Sequence, residues 1–376
     1  MSDTPPDLSE LRAALTSADE EIVRLVAERM RIVRQVAKTK ARSELPSFDR
    51  GREDELLERL EKRGEEHGLG SDIVRDVYAA LFAASRRAQR QLRAPELEKF
   101  TIGVVGGTQG MGGFLARVFR DGGYDVEVMG LGVGRTAEEL AADRDLVVVA
   151  VPIDATVGVI EAIAPKVRPG ACIVDVTSLK AAPMAAMLAH APDGVEVVGT
   201  HPMFGPHGED LDRQKVVLCR GRGDVWFSRV KRLFEAFGAE TIEAEPGEHD
   251  AQMALIQVLI HEKTMVLGSV LERLKADLGR SLQFASPIYR TELAMIGRMF
   301  SQGAELYADI LTSNPDASRL SHYFEQEAAH FARAVAMGDR ETVVKRFRQV
   351  SEYMKDFAAW AKRQSDAILD DVMRHG

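Results

Sequence analysis

TIGVVGGTQGMGG, residues 101–113, is the stretch of sequence that decides the fold. It begins as an apolar run with the composition of a buried strand and ends in a glycine-rich turn, and a helical pattern over 114–120 follows at once. Such a turn allows backbone N–H groups and the positive end of the helix to approach a pyrophosphate. The stretch therefore predicts a dinucleotide-binding α/β fold, although Gln109 stands where the GxGxxG pattern has its second glycine.

The middle of the chain continues this alternation of short apolar runs and helical stretches. The alternation is typical of a parallel sheet covered by helices, so we predict a Rossmann-like, doubly wound α/β sheet. Six runs read as buried strands: Thr101–Val105, Val126–Met129, Leu146–Val151, Cys172–Val176, Val195–Val198 and Val216–Leu218. After Gly247 four stretches read as helices: His249–Ala276, Ile288–Leu311, Ser318–Met337 and Arg340–Met373.

Residues 8–93 show helical periodicity throughout. In the first helix apolar or small residues recur at intervals of three and four, and the pattern extends from Leu8 to about Arg42. Such a helix is about 50 Å long, too long to be covered within a compact monomeric domain, so we expect a homodimer. Two further helices are predicted over 50–67 and 72–93. The predicted domains are an all-α domain over 1–95, a Rossmann-like domain over 96–246 and an all-α domain over 247–376.

The charge of the chain limits its partners. Its 376 residues carry 49 basic and 58 acidic side chains, and the net charge of −9 belongs wholly to the part after residue 94, which argues against nucleic acid as a partner. We recognise no run of 18 apolar residues and no secretory leader, so we expect no membrane span and a cytoplasmic location. Cys172 and Cys219 lie in apolar runs and are expected to be buried thiols, and no residue spacing predicts a metal site.

Polar residues interrupt the apolar seam of the helical segment. Arg29 and Lys40 each stand four residues after an apolar seam residue of the first helix. Unpaired buried charge is costly, so these cations are expected to meet carboxylates or to bind an anion. On the third helix Ser85 and Gln89 lie four apart and share a face. The set predicts an anion-binding site within the three-helix unit.

The helical segment resembles the all-helical chorismate mutases. The resemblance rests on Leu11-Arg12, Glu28-Arg29, Lys40, Asp49-x-x-Arg52-Glu53 and Ser85-x-x-x-Gln89. It implies an intertwined helical dimer that converts chorismate to prephenate by a pericyclic shift, for which preorganised charge and a folded substrate conformer suffice.

The same resemblance implies the role of each side chain. The substrate carboxylates would be bound by Arg29 and Arg52, and Arg12 would reach into the site of the second chain of the dimer. The ether oxygen, whose negative charge grows as the C–O bond breaks, would be bound by Lys40 and Gln89. Hydroxyl or carboxylate groups of the substrate would be held by Asp49, Glu53 and Ser85.

In the sheet segment, candidate polar groups follow two predicted strands at their carboxyl ends. Residues 175–180, which read DVTSLK, follow the fourth apolar run, and His201 follows the fifth. Open α/β sheets bind ligands at this edge, and a histidine there can exchange a proton near neutral pH. The acidic residue expected after the second strand to bind a ribose is missing while Arg135 lies nearby, so both NAD and NADP stay open.

Residues from about 100 to 360 resemble the prephenate dehydrogenase family. The resemblance rests on the glycine-rich turn, Val151-Pro152, residues 175–180, 201–206 and 248–250, and Ser286–Arg290 with Glu292-Leu293-Ala294-Met295. It implies oxidation of prephenate by NAD, with NADP as the alternative, and loss of CO2 to give 4-hydroxyphenylpyruvate.

This second resemblance also implies residue roles. The proton of the 4-hydroxyl group would be taken by His201, oriented by Ser178. A prephenate carboxylate would be bound by Arg290 with the help of Lys180, and further candidates in the substrate region are His249 and His261. The pyrophosphate site would be formed by Gly106, Gly107, Thr108, Gly110, Met111 and Gly112.

Together the two resemblances imply a bifunctional enzyme for successive steps of tyrosine biosynthesis, with feedback inhibition by tyrosine suggested by analogy. Two alternatives stay open. The dehydrogenase substrate could be arogenate rather than prephenate. A regulatory, DNA-binding protein with a helical dimer and a nucleotide-sensing domain would account for the six basic residues from Arg29 to Arg42, although these are spread around the helix and the net charge opposes it.

Overall fold

The structure is a computed structural model that describes residues 7–42, 50–93, 98–132, 135–206, 208 and 210–375. The chain divides into two compact units. The first unit comprises Met1–Val151, Val159–Val176 and Met187–Glu243, and the second comprises Pro152–Gly158, Thr177–Ala186 and Ala244–Gly376. The N-terminal helices and the sheet therefore belong to the first unit, and the C-terminal helices belong to the second.

The N-terminal segment folds as three helices, as its periodicity predicts. They are α1 (Leu8–Arg42), α2 (Arg50–Glu66) and α3 (Ser71–Arg93). Both α1 and α2 pack on α3, where Val74 and Phe82 are buried. The turn between α2 and α3 contains Gly68 at a φ of +74°, a conformation that L side chains rarely adopt.

Within one chain the apolar seam of α1 is largely exposed. Leu15 and Val23 are 64% and 68% exposed. Further exposed apolar side chains of the helix are Leu8, Leu11, Ile22, Leu25, Ile32 and Val36. Monomeric proteins rarely leave an apolar stripe of this length uncovered. The helix thus presents the kind of surface that the expected homodimer requires.

The middle segment forms a seven-stranded sheet in the order β2-β1-β3-β4-β5-β6-β7. The strands are β1 (Thr101–Val105), β2 (Asp125–Met129), β3 (Leu146–Val149), β4 (Cys172–Asp175), β5 (Glu196–Pro202), β6 (Lys215–Arg222) and β7 (Glu240–Glu243). The helices that alternate with them along the chain are α4 (Gly110–Asp121), α5 (Ala137–Asp143), α6 (Ile153–Ile163), α7 (Ala181–His190) and α8 (Val225–Ala236). Because β2 and β3 flank β1 on opposite sides, the carboxyl end of β1 is a point where such sheets bind dinucleotides.

The central strands of this sheet are buried by residues of one chain alone. All residues of β3 and β4 are buried, and successive side chains of a strand point to opposite faces, so both faces are covered there. Cys172 and Cys219 are buried free thiols, as predicted.

The last two strands depart from the prediction of a parallel sheet. β5 and β6 pair antiparallel, because no helix joins them, whereas a parallel connection needs a crossover. The sequence pattern also misses β7, which pairs in parallel with β6. Its residues, ETIE, include a single apolar side chain, and an exposed edge strand of this kind gives no hydrophobic periodicity to detect.

The second unit is mainly helical. Its C-terminal helices are α9 (Pro246–Met253), α10 (Ile260–Arg273), α11 (Leu278–Leu282), α12 (Pro287–Phe300), α13 (Ala304–Ser313), α14 (Ala317–Ala336) and α15 (Arg340–His375). Two predicted helices are interrupted: a π-helical stretch, Ala254–Leu259, joins α9 to α10, and the stretch predicted over 288–311 divides into α12 and α13. π-helical turns often occur at functional sites.

One helical stretch of the second unit, Pro246–Arg273, is long and apolar enough to cross a membrane by length and composition alone, with a mean hydropathy of 1.4. No membrane span is expected from the sequence. Only 17% of the apolar window is buried within one chain, so the stretch presents an uncovered apolar surface.

Candidate active sites

In the helical segment Arg29 of α1 reaches Ser85 of α3. Its Nη1 donates to Ser85 Oγ at 2.5 Å and to the carbonyl oxygen of Leu81 at 3.2 Å, and its guanidinium lies 5.7 Å from the ring centre of Phe82. Ser85 is buried and Arg29 is half-buried. Among the described residues no carboxylate pairs with Arg29, so its charge is available to an anionic ligand.

Gln89 lies one turn beyond Ser85 on α3. Its amide oxygen Oε1 is buried and has no hydrogen-bond partner among the described residues. Buried polar atoms without a partner are rare, and each needs an explanation. The amide has bonding capacity left for a ligand beside Ser85. The side chain of Lys40 and the whole of Asp49 lie outside the described residues, so their roles stay predictions.

Two more predicted residues of this site, Arg52 and Glu53, lie in the first turn of α2. Arg52 is exposed and Glu53 is half-buried. Oε2 of Glu53 accepts a hydrogen bond from Nη1 of Arg86 at 2.6 Å, and Arg86 is a residue that the motifs do not single out. Arg12 is exposed on α1, as a residue that acts in another chain would be.

The turn after β1 has the backbone that a pyrophosphate site needs. α4 begins at Gly110, and no side chain caps the N–H groups of its first turn. Gly106 has a φ of +85°, and a Cβ there would lie 2.3 Å from the carbonyl oxygen of Ala150. A Cβ at Gly112 would lie 2.5 Å from the carbonyl oxygen of Gly106. Since these positions admit no side chain, the helix N-terminus comes close to the end of β1, where it can receive a diphosphate.

The remaining residues of the turn divide into two groups. A Cβ on Gly110 would meet no atom within 4 Å, and Thr108 is exposed. Gly107 instead packs against Val128, and Met111 packs against the core of the sheet. Gly110 and Thr108 therefore offer surface to a ligand, while Gly107 and Met111 support the turn from behind. This arrangement fits a dinucleotide.

Arg135, the residue near the predicted ribose site, is engaged by groups of its own domain. Its Nη1 lies 2.8 Å from Asp143 Oδ2 and 3.7 Å from Glu127 Oε2. Its Nη2 donates to the carbonyl oxygen of Glu139 at 2.5 Å. Local carboxylates thus balance the charge of Arg135.

His201 occupies the last position but one of β5, at the carboxyl edge of the sheet, and is 3% exposed. It pairs with Val217 of β6 in the antiparallel register. The hydroxyl of its neighbour Thr200 donates to the carbonyl oxygen of Asp175, the last residue of β4, at 2.6 Å. The histidine therefore lies on a strand that is bonded on both sides.

In the second unit Lys180 and His249 meet at the carboxylate of Asp250. Its Oδ1 accepts from the backbone N–H of Lys180 at 2.7 Å, and its Oδ2 accepts from that of Ala181 at 2.9 Å, so Asp250 caps α7. Nδ1 of His249 lies 2.8 Å from Oδ1. An ionised carboxylate can only accept, so Nδ1 of His249 carries the proton that it donates to Asp250.

The surroundings of Asp250 favour its ionised form. Burial by itself would raise the pKa of this carboxyl, but hydrogen bonds from His249 and from the N–H groups of Ala181 and Lys180 hold the pKa below its ordinary value. Nδ2 of Asn314 donates to the backbone carbonyl oxygen of Asp250 at 2.9 Å. The cluster is buried throughout, and Lys180 is entirely inaccessible.

The structure places the remaining predicted residues of the second unit separately. Ser178 is half-buried in the segment after β4. His261, on α10, packs edge-on against Tyr307 with 5.0 Å between ring centres, and burial lowers the pKa of its imidazole. Arg290 is half-buried in α12, whose N-cap is Ser286. The hydrogen bonds of the described residues do not connect these three side chains to the Asp250 cluster.

The motifs do not assign a role to Asp250 or Asn314. Asp250 carries a signal, because it directly follows His249 in a quoted motif. Asn314 stands 64 residues further along the chain and carries none. Within the described ranges no group of three or more His, Cys, Asp or Glu side chains is arranged to hold a metal ion.

Comparison with known proteins assigns all three parts of the chain. Residues 11–90 match the family "Chorismate mutase type II". Residues 121–243 match "Prephenate dehydrogenase, nucleotide-binding domain", and residues 245–349 match "Prephenate dehydrogenase, dimerization domain".

Full-length relatives are similar over almost the whole chain. The T-protein of Haemophilus influenzae is 32% identical over 367 residues, which cover 97% of each chain. The T-protein of Enterobacter agglomerans is 34% identical over 372 residues, covering 96% of this chain and 97% of the relative. The crystal structure of prephenate dehydrogenase from A. aeolicus in complex with hydroxyphenyl propionate and NAD+ covers 69% of this chain and 99% of its own, with a TM-score of 0.54 at 18% identity, which supports the fold.

The fold and the two sites thus define a bifunctional enzyme, a chorismate mutase joined to an NAD-dependent prephenate dehydrogenase of tyrosine biosynthesis. The chain belongs to the T-protein family. The predicted activities, the fold class and the use of NAD are confirmed at this level.

Proposed function

We propose that chorismate binds beside α1 and α3, with a carboxylate on Arg29. The observation that carries this proposal is the Arg29–Ser85 contact, next to the unsatisfied amide oxygen of Gln89. Because the rearrangement needs neither a proton transfer nor a covalent step, a partly buried cation without a carboxylate partner and a free amide are suitable groups. The cation would hold a carboxylate of the folded substrate, and the NH2 group of the Gln89 amide, its donor side, would stabilise the charge that develops on the ether oxygen.

The remaining mutase residues complete this assignment. The second substrate carboxylate is bound by Arg52 and by Arg12 of a second copy. The ether oxygen is bound by Lys40 together with Gln89. The substrate hydroxyl and remaining polar groups are held by Asp49, Glu53 and Ser85.

For the dehydrogenase reaction we propose that His201 is the base. It takes the proton of the 4-hydroxyl group while a hydride leaves C4. The ring carboxylate then departs as CO2, its bonding electrons complete the aromatic ring, and His201 returns the proton to the C4 oxygen. When bound, NAD+ accepts the hydride. A general base of this kind contributes about 10²–10⁴-fold to a rate. The burial of His201 at the edge of the sheet supports this role.

The groups of the second unit position the substrate in this proposal. Arg290 binds a prephenate carboxylate, and its guanidinium can do so through two parallel hydrogen bonds. Ser178 assists by orienting the base. Lys180 is buried in the Asp250 cluster, so in this proposal it assists through that cluster rather than from the surface of the site. His249 and His261 line the substrate region in this proposal.

The preference for NAD over NADP has support in the charge around Arg135. A 2′-phosphate requires a cation that is free to receive it. Arg135 is instead balanced by Asp143 and Glu127, so we propose NAD as the preferred cofactor.

We further propose that the protein is a cytoplasmic homodimer. Two exposed apolar surfaces support a dimer: the seam of α1 and the stretch Pro246–Arg273, which lies in the part that matches a dimerization domain. A second copy that covers Pro246–Arg273 accounts for its apolar character without a membrane. The domain limits 1–95, 96–246 and 247–376 are part of the same proposal.

A coupled assay tests the proposed function. The protein is incubated with chorismate and either cofactor, and the reduced cofactor and 4-hydroxyphenylpyruvate are measured. We expect both products with NAD and a much lower rate with NADP. Absence of prephenate and of reduced cofactor would refute the proposal.

Two further arms decide the finer points. Equal or faster oxidation of arogenate than of prephenate would show that arogenate is the substrate. Addition of tyrosine to the same assay tests feedback inhibition, which the family analogy suggests. Binding to duplex DNA that weakens with salt would support the regulatory alternative.

A further inference from the structure

Arg86 joins the mutase site to the nucleotide-binding domain. It follows Ser85 on α3 and is 8% exposed. Its Nη1 bonds Glu53 Oε2 of α2 at 2.6 Å, and its Nε bonds Asp212 Oδ2 at 2.7 Å. Asp212 lies in the loop between β5 and β6, and all of these residues belong to the first unit. One buried cation therefore bridges carboxylates of two predicted domains.

A second bond across the same boundary reaches the same carboxylate. Nη2 of Arg213, the residue after Asp212, lies 3.5 Å from Glu53 Oε2. Both arginines thus bond Oε2, and no described residue bonds Oε1 of Glu53. The second oxygen of this carboxylate is the one left to accept a hydrogen bond from a substrate hydroxyl.

The two neighbours of Asp212 in the chain are held by the sheet domain. Leu211 is completely buried in the core of the sheet domain. The backbone N–H of Arg213 donates to the carbonyl oxygen of Gly238 at 2.9 Å, and Arg213 adopts a φ of +59°. A residue with a side chain adopts this left-handed conformation only where its surroundings enforce it. Asp212 is therefore held in place where it accepts the hydrogen bond from Arg86.

A guanidinium fixed at one nitrogen has little freedom at the others, because the group is planar. The bond from Nε to Asp212 therefore sets the direction of Nη1. That direction determines where Nη1 holds the carboxylate of Glu53. Without Asp212, Arg86 would keep its bond to Glu53 but lose the bond that fixes its Nε.

We propose that Arg86 is a positioning residue whose anchor, Asp212 in the nucleotide-binding domain, orients Glu53 for chorismate, so the mutase activity depends on a residue of the dehydrogenase part. The inference rests on the proposed role of Glu53 in binding a hydroxyl group of the substrate. That hydroxyl keeps its bonds through the rearrangement, so a misplaced Glu53 weakens the substrate and the transition state equally. KM then rises while kcat changes little.

The test uses the full-length protein with Asp212→Asn, which removes the charge and keeps the size. We expect the KM for chorismate to rise about 3- to 10-fold with little change in kcat, because a charge-assisted bond that orients Glu53 is lost. Dehydrogenation of added prephenate is expected to be unchanged. Asp212→Glu should restore part of the lost affinity, which loss of folding alone would not allow. The matched control is Asp224→Asn, an exposed aspartate of the same domain that pairs with Arg220.

Glu53→Gln separates the inference from the proposed function. If Glu53→Gln raises the KM for chorismate and Asp212→Asn does not, the role of Glu53 stands and the inference is overturned. If neither variant raises KM, the assignment of Glu53 to the site is wrong and the inference falls with it. The double variant should have no larger effect than Glu53→Gln alone, because Asp212 acts through Glu53. Additive effects, or a parallel loss of both activities and of thermal stability, would contradict the positioning role.

Discussion

The helical N-terminal segment and the sheet of the nucleotide-binding domain bury their apolar residues in different ways. In β3 and β4 every residue is buried within one chain. In α1, a helix of 35 residues, most large apolar side chains stay exposed. The central strands of the sheet are therefore covered within one chain, whereas α1 leaves its apolar seam uncovered. If the proposed dimer and the proposed role of Arg12 in a second copy are right, the first region depends on packing within the chain and the second depends on assembly.

The largest expected effect is that of a substitution at His201, which should remove one activity and leave the other. His201→Asn should lower kcat of the dehydrogenase by about 10²–10⁴-fold, because the base is lost from a strand whose backbone bonds do not involve the ring. The rate of chorismate rearrangement measured on the same preparation should be unchanged. A comparable loss of both activities would show that the two regions do not function separately.

The converse variant acts on the helical region. Arg29→Gln should reduce the kcat/KM of the mutase at least about 30-fold, since it removes a partly buried cation proposed to bind a carboxylate. Oxidation of added prephenate should proceed at the normal rate. The exposed cation Arg31 on the same helix provides the control variant Arg31→Gln.

The difference in packing can be tested with two leucine truncations. Leu218 is completely buried in β6, so Leu218→Ala should lower the free energy of unfolding by about 2–5 kcal/mol at any protein concentration. Leu15 is exposed in the single chain, so the main effect of Leu15→Ala should be weaker association.

Urea unfolding and sedimentation at several protein concentrations check both expectations. Mutase activity of Leu15→Ala should fall on dilution, because Arg12 is proposed to act in the second copy, and dehydrogenation should be less sensitive. If Leu15→Ala associates as tightly as the unchanged protein, the seam of α1 is not an interface.

The smallest expected effect is on the pH dependence of the stability of the fold. The pKa of Asp250 is held below its ordinary value in the folded protein, so its bonds stabilise the fold above the pKa of the unfolded state and are lost as the pH falls below about 4. Asp250→Asn should lower stability at neutral pH by about 1–3 kcal/mol and flatten the acid branch of the stability profile. Thermal unfolding from neutral to acidic pH measures this; an unchanged acid branch would contradict it.

Hydrophobic periodicity along the sequence was sufficient to predict most of the helices and strands. The seam of α1 repeats without interruption, and the prediction of Leu8 to about Arg42 agrees with the helix Leu8–Arg42. Buried strands such as Thr101–Val105 were equally clear. The orientation of β6 was missed because pairing direction depends on the connection between strands rather than on the strand itself.

The candidate sites were predictable where a motif keeps its residues close in sequence. Ser85 and the glycine-rich turn are of this kind. The bridge from Arg86 to Asp212 joins residues 126 positions apart, and neither residue belongs to a motif. A contact of this kind forms when two domains pack together. The hydrophobic periodicity of either segment therefore does not predict it.

The position of His201 has a consequence for motion in the enzyme. β5 is bonded to β4 on one side and to β6 on the other, and its residues are almost all buried. Because the backbone of β5 is bonded on both sides, we expect its amide protons to be among the slowest in the protein to exchange with solvent. If His201 is the base, as proposed, we expect it to keep its position during turnover. A conformational step that limits the rate would then bring the substrate to the histidine.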